Sequence, residues 1–267
     1  MKFCLLVVLY NPTQQDLERL DKYAQSKFFT HITVWDNSNG SHQSQIPSRM
    51  EYVFKGKNEG LSIPYNYMIN WCFANRYDYL CLMDQDSNYP LGEMKKLIDF
   101  INEHPQSLNN TAIIAPRVYT RHFKALPRKK ELTVVKSILN SGCFLNIFLL
   151  ANKLLRYDEN IFLYYVDIDF CMKIYESNCL VQVYEDSVFV QNVGNELKKT
   201  KKYYGYHEPY RYYLIAHNQR YCLCKHWGCI KGGVWAFIKN TNLLRKIIFY
   251  EDNRRDKIKA CLRGMFK

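Results

Sequence analysis

Two carboxylates one residue apart, Asp84-Gln85-Asp86, follow directly on the apolar run Tyr79-Leu80-Cys81-Leu82-Met83 and lead into a hydroxyl, Ser87. A short apolar run with polar flanks reads as a buried strand. Open α/β sheets take their ligands outside the carboxyl ends of the strands. A pair of acids there suits a hard divalent cation, whose remaining positions go to a diphosphate and water. Taken alone, Asp-x-Asp is equally the signature of an Asx-type turn with both acids solvated. What else reaches the same rim decides between the two.

Three further polar clusters fall at strand ends. Tyr10-Asn11-Pro12 follows the run Phe3–Leu9, Asp36-Asn37-Ser38 follows His31–Trp35, and Asn58-Glu59-Gly60 follows the short run Tyr52–Phe54. In a parallel sheet such turns share one edge, so residues distant in sequence converge there. Asp36 offers acceptors to a base N–H, while Asn58 and the backbone around Gly60 can approach a diphosphate. Farther along, Asp167 opens a helix expected to run to about Glu176, an acid suiting the N-terminal end. Asp169 lies two residues on, about 200° around a helix of 3.6 residues per turn, and so cannot share its job.

The elements that position these residues alternate. Leu17, Leu20 and Tyr23 stripe a helix ending near Ala24, and a second spans Leu61–Asn75 with Ser62 as cap and Pro64 in the first turn. A helix over Leu91–Ile101 precedes a strand over Thr111–Ala115, and Tyr119–Glu131 reads as a basic surface loop. Apolar stretches Val134–Leu139 and Cys143–Leu150 flank Asn140-Ser141-Gly142; Ile161–Val166 reads as an aromatic strand, and Leu180–Tyr184 and Val188–Val190 as the last strands. Strands alternating with helices imply βαβ crossovers and a mostly parallel α/β sheet. A helix over Tyr210–Lys225, a break at Gly228–Gly233 and further amphipathic helices complete the chain.

Composition narrows the classes. A chain of 267 residues, 48% apolar, excludes disorder and suffices for one large α/β domain with a helical appendage. No apolar segment approaches the roughly 20 residues that span a bilayer. The apolar N-terminus meets Tyr10-Asn11-Pro12 rather than a small-residue cleavage site, so a first core strand is expected there instead of a signal peptide. Ten scattered cysteines then read as free thiols, in keeping with the cytoplasm. Residues 191–267 hold 17 Lys/Arg against 5 Asp/Glu, whereas the rest has 20 of each. A neutral body thus carries a basic C-terminal quarter, which points to anionic partners.

The ordered series Leu9-Tyr10-Asn11-Pro12, Asp36-Asn37-Ser38, Asn58-Glu59-Gly60-Leu61, Tyr65-Asn66 and Asp84-Gln85-Asp86-Ser87 resembles glycosyltransferase family 2, in its bacterial rhamnosyltransferase and galactofuranosyltransferase-like branch. Asn140-Ser141-Gly142, Tyr157-Asp158-Glu159 and Tyr165-Val166-Asp167-Ile168-Asp169 continue the pattern. The resemblance implies a GT-A fold over residues 1–197 and an inverting, metal-dependent transfer from a nucleotide-diphosphate sugar to a surface-polysaccharide or lipid-linked glycan acceptor. It implies Asp167 as general base and Asp86 as ligand of Mg²⁺ or Mn²⁺. Tyr10, Asn11, Asp36, Asn58, Gly60, Asn66 and Asp84 would bind the donor and its nucleotide. Ser141, Gly142, Tyr164, Asp169 and Gln191 would serve the acceptor side or support the site. The chain departs from the pattern at Tyr164, where an acid is frequent, at Leu155-Arg156 in place of a Gly-Gly pair, at Gln191 in place of a histidine, and at His217 in place of an arginine.

Residues 198–267 are read as a basic, aromatic-rich helical extension with three readings. Its apolar stripes complete the core; or Arg245, Lys246, Arg254, Arg255, Lys257 and Lys259 face an anionic membrane; or the basic and aromatic residues bind nucleic acid. The membrane is favoured and no nucleic acid partner is expected, which would make the protein peripheral on the inner face of the plasma membrane. The run Lys198–Lys202 reads as a solvated loop or a lid over the diphosphate. Tyr164 and Gln191 also admit a different class, a nucleotide or nucleic-acid binder that keeps the scaffold without turnover.

Overall fold

All seven residues of β1 (Phe3–Leu9) are buried. A run without polar alternation needs cover on both faces, which a central parallel strand receives. β1 pairs in parallel with β2 (His31–Asp36), β2 pairs with β3 (Glu51–Phe54), and β1 pairs on its other side with β4 (Tyr79–Asp84). The crossovers are α1 (Gln14–Gln25) and α2 (Ser62–Ala74). α1 starts in a capping box, Thr13 and Asp16 satisfying each other's backbone N–H. This computed structural model describes residues 1–120, 131–191 and 207–266, the side chains of Thr120 and Gln191 excepted.

Past β4 and α3 (Leu91–Glu103) the sheet becomes mixed. It takes up β5 (Thr111–Thr120), β6 (Leu132–Val134), β7 (Phe144–Asn146) and β8 (Leu180–Gln191) in the spatial order β3-β2-β1-β4-β7-β5-β8-β6. β7 runs antiparallel to both neighbours, and β6 antiparallel to β8. α4 (Ile147–Asn152) and α5 (Val166–Glu176) complete this part. Leu9 lies opposite Asp36, and Val8 opposite Asp84, so β1, β2 and β4 all end at one rim.

The chain divides into two compact units, one of Met1–Phe162 with Val166–Asn192, the other of Leu163–Tyr165 with Val193–Lys267. The second holds α6 (Pro209–Trp227), α7 (Cys229–Tyr250) and α8 (Arg254–Phe266) around Tyr212, Ala216, Ile247, Cys261 and Met265. Its centre also contains an ion pair, Lys257 to Glu251 at 3.0 Å, both side chains fully buried and joined by the Tyr212 hydroxyl. Such a charge survives burial only when it is paired and hydrogen-bonded.

Several expectations change. Ser62 does not cap α2; its hydroxyl donates to the Ile161 carbonyl at 2.8 Å. Ile161–Val166 is not a strand, because Tyr164 and Tyr165 both adopt positive φ, 58° and 66°, which no strand accommodates. Asn218 Nδ2 holds that turn, donating to the Leu163 and Tyr164 carbonyls at 2.5 and 3.2 Å. Leu180 to Gln191 is one strand, its irregularity absorbed as a register shift against β5. The helical break falls at Gly228 alone. Gly232 lies inside α7, where a Cβ would stand 2.2 Å from the Leu223 carbonyl oxygen. Lys257, expected on an outward basic face, is the buried partner of Glu251, and Lys246, expected there too, pairs with the same carboxylate at 3.8 Å. All ten cysteines are free thiols.

Candidate active site

The carboxyl ends of β1, β2 and β4 are tied together by side chains reaching across the rim. The Tyr10 N–H donates to Gln85 Oε1 at 2.6 Å, and Gln85 Nε2 returns a bond to the Tyr10 carbonyl at 3.2 Å. The middle residue of Asp84-Gln85-Asp86 is therefore a clamp between two strands, while Asp84 and Asp86 stand on either side of it. The Asn11 N–H donates to Ser38 Oγ at 2.7 Å, joining the ends of β1 and β2. Asn37 then fastens the loop after β3: its Nδ2 donates to the Gly60 carbonyl at 2.7 Å and its Oδ1 accepts from the Glu59 N–H at 3.1 Å. Asn58 Oδ1 accepts from the Gly60 N–H at 2.9 Å.

Gly60 has φ +73°, and a Cβ there would lie 2.5 Å from the Phe162 carbonyl oxygen. Backbone conformation and space both exclude a side chain. We expect Gly60→Ala to cost about 2–3 kcal/mol and to lower Tm by roughly 5–10 °C, read by thermal unfolding. A Tm within a degree of the wild type would contradict this close approach.

Behind β4, Ser141 Oγ accepts from the Asp84 N–H at 3.0 Å and donates to Ser87 Oγ at 2.8 Å. The Gly142 N–H donates to the Leu82 carbonyl at 2.7 Å. Ser141 and Gly142 thus brace the strand end carrying the acids. Asn66 is likewise occupied: its amide donates to the Tyr157 carbonyl and to Glu159 at 3.0 and 2.9 Å and accepts from the Tyr157 N–H at 2.9 Å. It secures the 157–159 loop rather than facing the rim.

Asp36 is fully buried, beneath the rim instead of on it. It accepts from the Ser38 N–H, the Tyr52 hydroxyl and His42 Nδ1 at 2.9, 2.7 and 2.8 Å. Burial alone would raise its carboxyl; these hydrogen bonds outweigh burial and hold it below the ordinary carboxylate range. What it sets in place is the pair His42 and Tyr52, neither of which stands out in the sequence.

Three carboxylates meet electrostatically. Asp84 is pushed up to about 7, by burial first and then by the charges of Asp86 and Asp167. Burial also raises Asp167, which stands in the first turn of α5 with its Oδ1 accepting from the Ile168 N–H at 2.8 Å. The buried Tyr65 hydroxyl is raised by burial first and then by the charges of both Asp84 and Asp167. Asp86 is exposed at the open edge. A divalent cation fits this donor set, because oxygen ligands that burial and mutual repulsion together raise toward neutrality gain most from a positive ion.

Asp169 is different in kind: fully buried, it pairs with Lys173 at 3.3 Å, so its charge is balanced within α5. In the second unit the Tyr164 hydroxyl lies 3.5 Å from His207 Nδ1 and accepts from the Arg211 guanidinium at 3.4 Å. The Gln191 side chain and the run Lys198–Lys202 lie outside the described residues. Arg19, unremarked in the sequence, reaches the rim from α1, pairing with Asp16 and donating to the Gln85 carbonyl at 3.2 Å.

No protein-family model matches the chain. It is 22% identical over 236 residues to the dTDP-rhamnosyl transferase RfbF of Shigella flexneri, covering 80% of this chain and 77% of that protein. Its fold is similar to crystal structures of S. aureus TarS residues 1–349. One superposes with TM-score 0.54 and 16% identity over 99% of this chain and 80% of that one. The complex with UDP-GlcNAc superposes with TM-score 0.57 and 17% identity over 97% and 79%. A further TarS structure contains UDP. The sheet with its rim of ordered motifs and these likenesses agree: the fold is GT-A, and the chain is similar to the rhamnosyltransferase-like branch of glycosyltransferase family 2.

Proposed function

We propose that the protein is an inverting, metal-dependent glycosyltransferase that moves rhamnose or galactofuranose from a nucleoside-diphosphate sugar to a surface-polysaccharide or lipid-linked glycan acceptor. The observation that carries the reading is the gathering of Asp84, Asp86 and Asp167 at the carboxyl rim of a GT-A sheet. The name of the Shigella flexneri relative supports a deoxythymidine-diphosphate rhamnose donor, and the TarS complexes support a uridine-diphosphate one.

In this reading Asp167 accepts the proton of the acceptor hydroxyl while that oxygen attacks the anomeric carbon. The bond from that carbon to the diphosphate oxygen breaks on the opposite face, so configuration inverts. Burial, by raising Asp167, makes it a better proton acceptor than a solvated aspartate. Asp86, with Asp84 beside it, would hold Mg²⁺ or Mn²⁺. When bound, the cation stabilises negative charge on the departing diphosphate. Tyr10, Asn11 and the Asn58–Gly60 loop line the donor side, and Asp36 acts on the nucleotide through His42 and Tyr52. Asn66, Ser141, Gly142 and Asp169 hold the frame.

A donor screen with thymidine- and uridine-diphosphate sugars, read as nucleoside diphosphate released with Mn²⁺, tests the function. Release from at least one donor is expected, and inert behaviour toward all of them would sink the reading. The same cluster sets a pH dependence. Without metal, Asp84 holds a proton below about 7, and a cation must displace it. Apparent Mn²⁺ affinity should therefore weaken up to about tenfold per unit as pH falls below 7 and level off above it. Titration calorimetry across pH 6 to 8 reads this; an affinity independent of pH would contradict the raised carboxyl.

A further inference from the structure

Along its first half α7 packs small residues inward and leaves large apolar residues outward. Gly232, Ala236, Asn240 and Ile247 are its buried positions, within about 80° of one another around the helix. The contact can be this close because Gly232 has no Cβ to meet the Leu223 carbonyl. On the other side stand Ile230, Val234, Trp235, Phe237, Ile238 and Phe249; Ile230 is 87% exposed, Phe249 69% and Phe237 57%. They cover an arc of about 160°, shared with Lys231, Asn242 and Arg245, and five of the six lie within residues 230–238. Helices that meet only water show the opposite arrangement, and a cluster of exposed apolar side chains of this size marks an interaction surface.

We propose that this outer face of α7 docks on an anionic phospholipid surface, lying in the plane of the interface. The helix carries Lys231, Lys239 and Arg245 at exposed positions and no Asp or Glu, while Lys246 pairs with Glu251 at 3.8 Å; its outer charge therefore complements acidic headgroups and opposes a second copy of itself. Trp235 sits against Trp227, ring centroids 6.4 Å apart, and Lys231 lies over the Trp227 ring at 5.6 Å. Indole rings beside cations are the pairing favoured at headgroup depth. Among the described residues no helix is long and apolar enough to cross a membrane, so the helix rests on the surface. The inserting group is thus the apolar cluster of α7, with Lys231 and Arg245 among its residues; Lys246 and Lys257, both paired with the buried Glu251, take no part. The inference stands on this surface alone and is independent of the transfer chemistry.

The test is flotation of the full chain with phosphatidylglycerol–phosphatidylcholine vesicles and with pure phosphatidylcholine vesicles, alongside molar mass by light scattering. The wild type should float with the anionic vesicles, with a blue shift of tryptophan emission, and bind neutral ones about tenfold less. Phe237→Ser with Ile238→Ser should lose about tenfold in partitioning at an unchanged Tm. Lys239→Glu with Arg245→Glu, which removes no apolar side chain, should lose the preference for anionic vesicles. Unchanged partitioning of both variants would overturn the proposal. So would a wild-type dimer that becomes a monomer on Phe237→Ser/Ile238→Ser, with neither form floating, because a second copy would then be the occupant.

Discussion

Asp167→Asn should lower transfer by about 10²–10⁴-fold in kcat while leaving the donor KM near its wild-type value. Asparagine keeps the size of the side chain, and its Oδ1 still accepts from the Ile168 N–H, so the first turn of α5 stays closed. What disappears is the proton acceptor. The electrostatics add a sign that a purely structural role would not produce. Asp167 is one of the charges that raise Asp84, so its neutralisation lets Asp84 ionise more readily. Mn²⁺ and nucleotide affinity near neutral pH should therefore hold or tighten as turnover collapses. A variant that keeps turnover within threefold, or loses donor binding along with it, would remove Asp167 as the base. Asp169→Asn gives the contrast: Asp169 is balanced by Lys173 inside α5, so its loss should show first as a lower Tm.

Asp86→Ala carries the second large effect. The side chain is exposed at the open edge of the rim, so its removal should leave Tm within about a degree. Metal-dependent release of nucleoside diphosphate should fall by about 10²–10³-fold, the scale of a lost electrostatic contribution to the departing diphosphate. The variant also relieves repulsion on Asp84, whose carboxyl should drop from about 7 toward the ordinary range. Protonation of Asp84 is thereby excluded as the cause of the lost activity. Metal-dependent turnover at the wild-type level in Asp86→Ala would place the cation elsewhere.

The parallel half of the sheet was legible because its determinants are local. Phe3–Leu9 and Tyr79–Asp84 are apolar without alternation, and a βαβ alternation leaves few topologies. The same logic put Asp84 and Asp86 at a strand end. The clamp by Gln85 was not legible, because a reciprocal bond to a backbone 75 residues away has no local sign. Asp36 looked like a surface acceptor because an Asp-Asn-Ser turn suggests solvent; the partners that pull it inside, His42 and Tyr52, come from elements whose approach is tertiary. Asn66 and Ser141 read as site residues, yet their polar atoms brace the 157–159 loop and the end of β4. Ile161–Val166 has strand-like composition, and only the positive φ of Tyr164 and Tyr165 shows that it turns. Only the later part of α7 was legible as an amphipathic stripe, because Gly228–Gly233 reads as a break, and periodicity does not say which side faces in. Small Gly232 and Ala236, easily passed over, decide that.

The most direct measurement is the Mn²⁺ anomalous difference map of a crystal grown with a nucleoside diphosphate. A single peak at coordination distance from the Asp86 carboxylate, about 2–2.3 Å, beside Asp84 and bridged to the diphosphate, is the result expected. A diphosphate bound away from the rim of β1, β2 and β4, or a Mn²⁺ peak that Asp86→Ala leaves in place, would contradict the account.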